Sequence, residues 1–223
     1  MAKEVLKIVN LSFAYKKNKD IFSNINFSLF EGEILGILGP SGTGKSSLLR
    51  LIAGLEKPSE GAIYYYGNEI SGKNKFLPPH KRGIGLVLQE KVLFPHLNSL
   101  ENVKFGIKGS KKDRKEKALD FLRLLKAEKF SQSFPNSLSG GEQQRVAIAR
   151  TLAPEPKLVL LDEPFSSLDK GLRTALREET KELFRKTNTS CIIVTHDHED
   201  AENMCDKVLK LEEGKIMEAL FSS

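Results

Sequence analysis

Cysteine is scarce in this chain of 223 residues: only Cys191 and Cys205 occur, one in an apolar run and one on a segment read as helix. Their spacing suits no metal, and so low a count fits a reducing compartment. Long apolar stretches are also missing. No run approaches the roughly 18 residues of a spanning helix, so any membrane role needs other chains. Met1 to Glu4 lacks the apolar core of a signal peptide. Aromatic residues are absent from the lysine-rich pieces Lys16 to Lys19 and Lys111 to Lys115, which read as solvated faces rather than as nucleic-acid sites. No nucleic-acid partner is expected. The formal charge of +6 allows contact with phosphate-rich ligands or an anionic membrane surface without requiring either.

What is present centres on Gly39-Pro40-Ser41-Gly42-Thr43-Gly44-Lys45-Ser46, which matches the phosphate-binding loop G-x-x-x-x-G-K-[ST] at every fixed position. The apolar run Ile34 to Leu38 before it predicts a buried strand, and Ser46 to Ala53, stopped by Gly54, predicts a helix. Glycines let backbone N–H groups wrap phosphates closely, the helix N-terminus adds its dipole, and Lys45 can reach the outer phosphates. Ser46 then offers its hydroxyl to Mg²⁺. A nucleotide is predicted, and the absence of an N-K-x-D motif disfavours guanine.

Before the loop, Val5 to Val9, Leu11 to Tyr15 and Ile25 to Leu29 predict an antiparallel sheet with one wet face, joined by a Lys/Asn turn and followed by a strand from Gly61 to Tyr66. After it, Ile84 to Gln89 predicts a strand with an amide at its carboxyl end. In open α/β sheets the ligand crevice lies beyond the carboxyl ends, so Gln89 can face a metal or a water there, or simply bond a loop. Helices are expected at Asn98 to Gly106 and Lys111 to Phe130. Ser139-x-x-Glu142 is a capping box, so Ser139 should start a helix whose two glycines leave N–H groups open to an anion. An ordinary capped helix fits the same residues.

Leu158 to Leu161 is a continuous apolar run ending in Asp162 and Glu163, as for a central parallel strand facing the nucleotide. Asp162 is placed to hold Mg²⁺, and Glu163 to orient or deprotonate the attacking water. Asp169 opens a helix through Thr187. The strand Cys191 to Val194 ends at His196, where an imidazole can bond a γ-phosphate or that water. A strand pair closes the chain at Val208 to Leu211 and Lys215 to Met217.

Taken together, the phosphate loop, Gln89, Leu138-Ser139-Gly140-Gly141-Glu142-Gln143, Leu158 to Glu163, Ser167-Leu168-Asp169 and His196 resemble the ATP-binding cassette (ABC) ATPases over essentially the whole chain. The resemblance implies an α/β fold: a P-loop NTPase, RecA-like core with an antiparallel β subdomain and an inserted α-helical subdomain. It divides residues 1–223 into a core at about 1–88 and 154–223 and a helical part at about 89–153. It implies two cassettes paired head to tail around two ATPs with Mg²⁺, so that Ser139 and Gly141 reach the γ-phosphate held by the partner's Lys45.

By the same resemblance Tyr15 stacks on adenine and Gln89 senses Mg²⁺ and the transport partner. Glu163 is the catalytic base, Asp169 lies at the dimer interface, and His196 contacts the γ-phosphate. Ser47 stands where threonine is frequent, and keeps a hydroxyl near the α-phosphate. Pro78 to Gly85, Leu93 to Leu97 and Glu163 to Asp169 are similar to bacterial importer cassettes for ferric iron, polyamines, thiamine, molybdate or sugars. That implies transmembrane permease subunits docking near Phe94 to Leu97, a solute-binding protein, and a cytoplasmic place on the inner face of the membrane. Many such importers continue into a regulatory β domain; this sequence stops at Ser223, so the domain is either absent from this type or removed. An exporter or lipoprotein-release cassette would share the ATP motifs but is less similar between Pro78 and Leu97. A soluble repair or translation ATPase would carry a long coiled coil or a second cassette.

Overall fold

The computed structural model describes residues 3–16, 19–90 and 93–219. The chain begins with two long antiparallel strands, β1 (Glu4–Lys16) and β2 (Lys19–Phe30), followed by β3 (Ile34–Leu38) and helix α1 (Lys45–Ala53). Strands β4 (Glu60–Tyr65) and β5 (Asn68–Ser71), the short helix α2 (Pro79–Arg82) and strand β6 (Ile84–Val87) come next. Helices α3 (Ser99–Lys104), α4 (Lys111–Leu124) and α5 (Gly140–Leu152) precede β7 (Leu158–Asp162) and α6 (Lys170–Thr187). Strand β8 (Ser190–Thr195), helix α7 (His198–Met204) and the hairpin β9 (Lys207–Glu212) and β10 (Lys215–Glu218) complete it.

Two sheets result. The outer one is antiparallel in the order β2-β1-β4-β5, and the central one runs β10-β9-β3-β8-β7-β6, parallel except for β10. The central strands are apolar throughout because both faces are covered. Leu35, Ile37, Leu158, Leu160, Ile192 and Val194 join one core with α1 and the outer sheet, while their neighbours Ile34, Val159, Leu161, Cys191 and Ile193 join a second core under α3 to α6. Period-two alternation thus feeds two hydrophobic layers instead of one core and water.

Several boundaries differ from expectation. The two short strands expected at Val5 to Tyr15 are one continuous β1. Residues 17 and 18 of the Lys/Asn turn lie outside the described residues, as do 91 and 92. Tyr66 leaves β4 with φ 48° and forms the turn before Gly67, so the strand ends one residue early. The helix expected over Lys111 to Phe130 stops at Leu124: Lys126 takes φ 51°, and a 3₁₀ turn, Glu128–Phe130, follows. Cys205 sits just after α7 rather than within it, and burial pushes the Cys205 thiol up to about 12 and the Cys191 thiol upward as well. No described helix is long and apolar enough to cross a membrane.

Candidate functional site

The carboxyl ends of β3, β7 and β8 lie side by side, with Leu38 opposite Thr195 and Asp162 opposite Val194 in the registers. Each strand therefore delivers its next residues to one place: Gly39 to Ser46 from β3, Asp162 and Glu163 from β7, and His196 from β8. The loop itself is shaped by its glycines. A Cβ on Gly39 would stand 2.3 Å from the Leu211 carbonyl oxygen, and Gly44, at φ 98°, would drive one to 2.4 Å from Ile21. Leu48 N–H donates to Gly44 O, so the helix begins directly at the loop's end, and Gly54 stops α1 in the left-handed region as expected.

Lys45 is buried and donates from Nζ to Gly39 O at 2.7 Å and Pro40 O at 2.9 Å. Burial lowers the pKa of its ammonium, against the opposing pull of Glu163 and Asp162. Ser46 Oγ donates to Asp162 Oδ1 at 2.9 Å. Burial raises the Asp162 carboxyl pKa, while the Ser46 bond works the other way. Glu163 holds φ 43°, with its N–H donating to Val194 O. Its carboxylate lies 3.9 Å from Lys45 Nζ through Oε1 and 3.1 Å from His196 Nδ1 through Oε2.

A cavity of about 340 Å³ brings Tyr15, Gly42, Lys45, Ser46, Gln89 and Glu163 together. Gln89 reaches it although β6 ends at Val87; the amide comes from the turn beyond the strand rather than from the strand end. Tyr15 is 56% exposed, meets Phe13 edge-on at 4.8 Å, and shares a hydrogen bond of 3.1 Å with Ser47 Oγ. Ser47 is therefore already engaged by Tyr15. A larger cavity of about 660 Å³ lies between Lys57, Ser59, Lys73 and Phe76, but it gathers none of the carboxylate, amide or imidazole groups assembled here.

Ser139, Gly141 and Asp169 do not line the 340 Å³ cavity. The capping box is complete: Ser139 N donates to Glu142 Oε2 at 2.8 Å, and Glu142 N to Ser139 Oγ at 3.4 Å. Ser139 and Gly140 are exposed, so this helix mouth faces outward. Gly141 has a second reason to lack a side chain, because a Cβ there would stand 2.2 Å from Leu172 Cδ2. Asp169 is the N-cap of α6, accepting from Leu172 N at 3.0 Å.

Three supporting residues escaped the sequence reading. Arg82 is 3% exposed and donates to the carbonyls of Leu77, Leu51, Ile52 and Ile70, tying α2 to the end of α1; burial lowers it to about 10. Asn102 is fully buried, accepts from Phe94 N and donates to the carbonyls of Phe94, Leu97 and Asn98, which fixes the 94–97 loop. Arg173 pairs with Asp197 at 2.5 Å, joining α6 to the cap of α7 beside His196. No local pattern singles out any of the three, and Arg82 follows His80 and Lys81 directly, so nothing in the sequence tells the buried cation from its exposed neighbours.

Among the described residues no set of three or more His, Cys, Asp or Glu side chains could hold a metal alone. Ser46, Asp162 and Gln89 supply a hydroxyl, a carboxylate and an amide. Such a sparse oxygen set suits Mg²⁺, which takes one or two carboxylates and completes its shell with substrate phosphates and water.

The ABC transporter family matches residues 22–166. An Fe(3+) ions import ATP-binding protein of Haemophilus influenzae is 43% identical over 217 residues, covering 96% of this chain and 61% of that protein. A probable sulfate/thiosulfate import ATP-binding protein of Chlorella vulgaris is 45% identical over 197 residues, covering 87% of this chain and 82% of that one. The chain thus spans about three fifths of the length of the iron-import relative. Among solved structures, a dimeric ATP-binding cassette in a post-hydrolysis state bound to ADP and Pi superposes with a TM-score of 0.85 at 33% identity, over 97% of this chain and 100% of that chain.

Proposed function

This chain belongs to the ABC transporter ATP-binding family, and from that premise we propose that it binds Mg-ATP between two paired copies, hydrolyses it, and powers solute import through transmembrane subunits. The observation that carries the reading is a division of labour. Lys45, Ser46, Asp162, Glu163 and His196 converge at the strand ends, while the open helix mouth at Ser139 faces outward. An anion site turned away from its own phosphate loop is useful when a second copy supplies the nucleotide.

Residues 1–223 form one cassette in this reading, with a core at about 1–88 and 154–223 and a helical part at about 89–153. The loop amides of Gly39, Pro40, Ser41, Gly42, Thr43 and Gly44 cradle the phosphates, and Lys45 exchanges its two carbonyl acceptors for phosphate oxygens. Tyr15 stacks on the adenine, and Ser47 acts through its bond to Tyr15. Ser46 and Asp162, with Gln89, would hold Mg²⁺, which supplies charge neutralisation for the phosphoryl transfer. Glu163 orients the attacking water and receives its proton. Beside a carboxylate, His196 Nδ1 carries the ring proton, leaving Nε2 to face the transferred group. Asp169, Ser139 and Gly141 meet the partner copy.

The loop from Phe94 to Leu97, held by Asn102, is the docking place proposed for the permease. The Phe94 ring meets that of Phe105, which is 65% exposed, at 4.6 Å and a tilt of 48°. Import is favoured by the names of the relatives, which include iron and sulfate import proteins, and a solute-binding protein and a place on the inner membrane face follow from it. The test is phosphate release by the purified chain: it should require Mg²⁺ and vanish in Lys45→Ala. Co-purification with chains that lack spanning helices would refute the transport assignment.

A further inference from the structure

Helix α6 carries a carboxylate that the proposed chemistry does not use. Glu179 accepts from Arg145 Nη1 through Oε2, and its Oε1 lies 2.8 Å from Lys126 Nζ. Arg145 is the sixth residue of α5, and the same Nη1 donates to Leu125 O at 2.8 Å. Lys126 stands in the left-handed turn that ends α4. One side chain from α6 therefore gathers cations from two separate segments of the helical part. The Arg145 and Glu179 side chains are 10% and 11% exposed, so their pairing is little weakened by water.

Two turns earlier on α6, Leu172 fills the space in front of Gly141, with Cδ2 only 2.2 Å from where a Cβ would stand. Helix α5 is thus touched by α6 at Gly141 and at Arg145, one turn apart on one face. Its other end is held elsewhere: Thr151 Cγ2 packs over Gly85 of β6, 2.7 Å from the position of a Cβ. A rod of 13 residues is about 20 Å long at ~1.5 Å per residue, so a tilt of about 3° about the Thr151 end moves Ser139 by about 1 Å.

We infer that Glu179 is a positioning residue: by holding Arg145 and Lys126 it sets the tilt of α5, and so the reach of Ser139 and Gly141 toward the nucleotide on a second copy. This rests on the paired-copy reading above. Without the carboxylate, the buried guanidinium keeps only the Leu125 carbonyl, and the α4 turn loses its tie to α6. The helix stays folded, since its capping box and its packing on β6 are untouched. What changes is alignment, and a misplacement of about 1 Å costs on the order of 100-fold in rate when several groups must converge.

The test uses Glu179→Gln in a Glu163→Gln background, followed by sedimentation velocity against ATP concentration. Affinity of the single copy for a fluorescent ATP analogue should stay within about twofold, while the ATP concentration for half-dimerisation rises about tenfold or more. Glu179→Asp, which keeps the charge, should recover most of the loss. Lys126→Met removes only the exposed arm and should shift dimerisation the same way by about threefold, so the inference does not depend on Glu179→Gln folding. Dimerisation at the parent's ATP concentration in both Glu179→Gln and Lys126→Met overturns it. If the Glu163→Gln parent itself stays monomeric, the paired-copy reading falls instead. In single copies, the distance between spin labels on Asn136, just before α5, and Lys186 on α6 then decides the clamp: a shifted or broadened distance in Glu179→Gln supports it, and an unchanged one overturns it.

Discussion

Glu163 Oε2 stands 3.1 Å from His196 Nδ1, and its other oxygen faces Lys45 at 3.9 Å. The carboxylate is thus steadied from two sides by groups that arrive from two other strands. Its left-handed backbone, φ 43°, aims the side chain back toward the loop, a conformation that costs about 1–2 kcal/mol in a non-glycine residue and persists because the strand end holds it. If the ring serves the transferred group rather than the resting nucleotide, as proposed, replacing His196 with Ala should lower kcat by about 100-fold or more while KM moves less than about threefold. Steady-state phosphate release against ATP concentration separates the two.

Tyr15 offers a different balance. Its ring is 56% exposed and its hydroxyl meets Ser47, so stacking and hydrogen bonding can be told apart. Tyr15→Ala should weaken nucleotide binding about 5- to 50-fold, in line with the ~1–3 kcal/mol of an aromatic–base stack. Tyr15→Phe should stay within about threefold of the parent, because the ring is kept and only one part-buried hydrogen bond to Ser47 is lost. Titration with a fluorescent ATP analogue checks both; equal losses in the two variants would contradict the stacking role.

Asp162 is held against its own preference. Burial raises its carboxyl pKa above the ordinary value, so the folded state binds its proton more readily than the unfolded chain. Its contribution is favourable below the unfolded pKa and is lost as pH rises through the folded one, which makes the ionised carboxylate a cost at neutral pH. Asp162→Asn should therefore abolish Mg²⁺-dependent turnover yet raise the thermal midpoint at pH 7. The gain should shrink in a scan at pH 4. Calorimetry at both pH values tests the sign.

Lys45 carries the complementary shift. Burial lowers its pKa below 10.5, and phosphate oxygens in place of two carbonyls should move it back up. Binding ATP just below that ordinary value should then take up protons. Titration calorimetry at pH 9.5 in buffers of different ionisation heat reads the uptake, and Lys45→Met should remove it.

Arg82 illustrates the structural side. Four carbonyls from three segments converge on a guanidinium that is 3% exposed. Arg82→Ala should destabilise the chain by about 3 kcal/mol or more, since the Ile52 and Leu77 carbonyls lose their guanidinium donor, those of Leu51 and Ile70 keep only a backbone N–H, and a buried side chain is lost. A drop of about 6–12 °C in the thermal midpoint follows.

The parts of the site that repeat a local pattern could be read directly from the sequence. The glycine spacing before Lys45, the capping box at Ser139 and the apolar run before Asp162 are each set by neighbours in the chain, and each takes the conformation its residues favour. Contacts made across the fold could not. Nothing near Gly141 in sequence announces Leu172, and nothing near Arg145 announces Glu179; both need α5 and α6 to be packed first. The end of α4 was missed for a related reason, because Leu125 and Ala127 continue the apolar spacing while the left-handed turn at Lys126 lies between them. Gln89 was placed at the right end of its strand by the rule for parallel sheets, though the strand itself stops two residues sooner.

In the proposed cycle, nucleotide closes two copies of this chain around it and Glu163 then opens them by hydrolysis. Sedimentation velocity of Glu163→Gln with and without Mg-ATP, beside phosphate release, tests it most directly. The expected result is a monomer without nucleotide, a dimer with Mg-ATP, and turnover reduced by about 1,000-fold or more for loss of the proposed base. A Glu163→Gln chain that remains monomeric in saturating Mg-ATP, or that releases phosphate at the parent's rate, would contradict it.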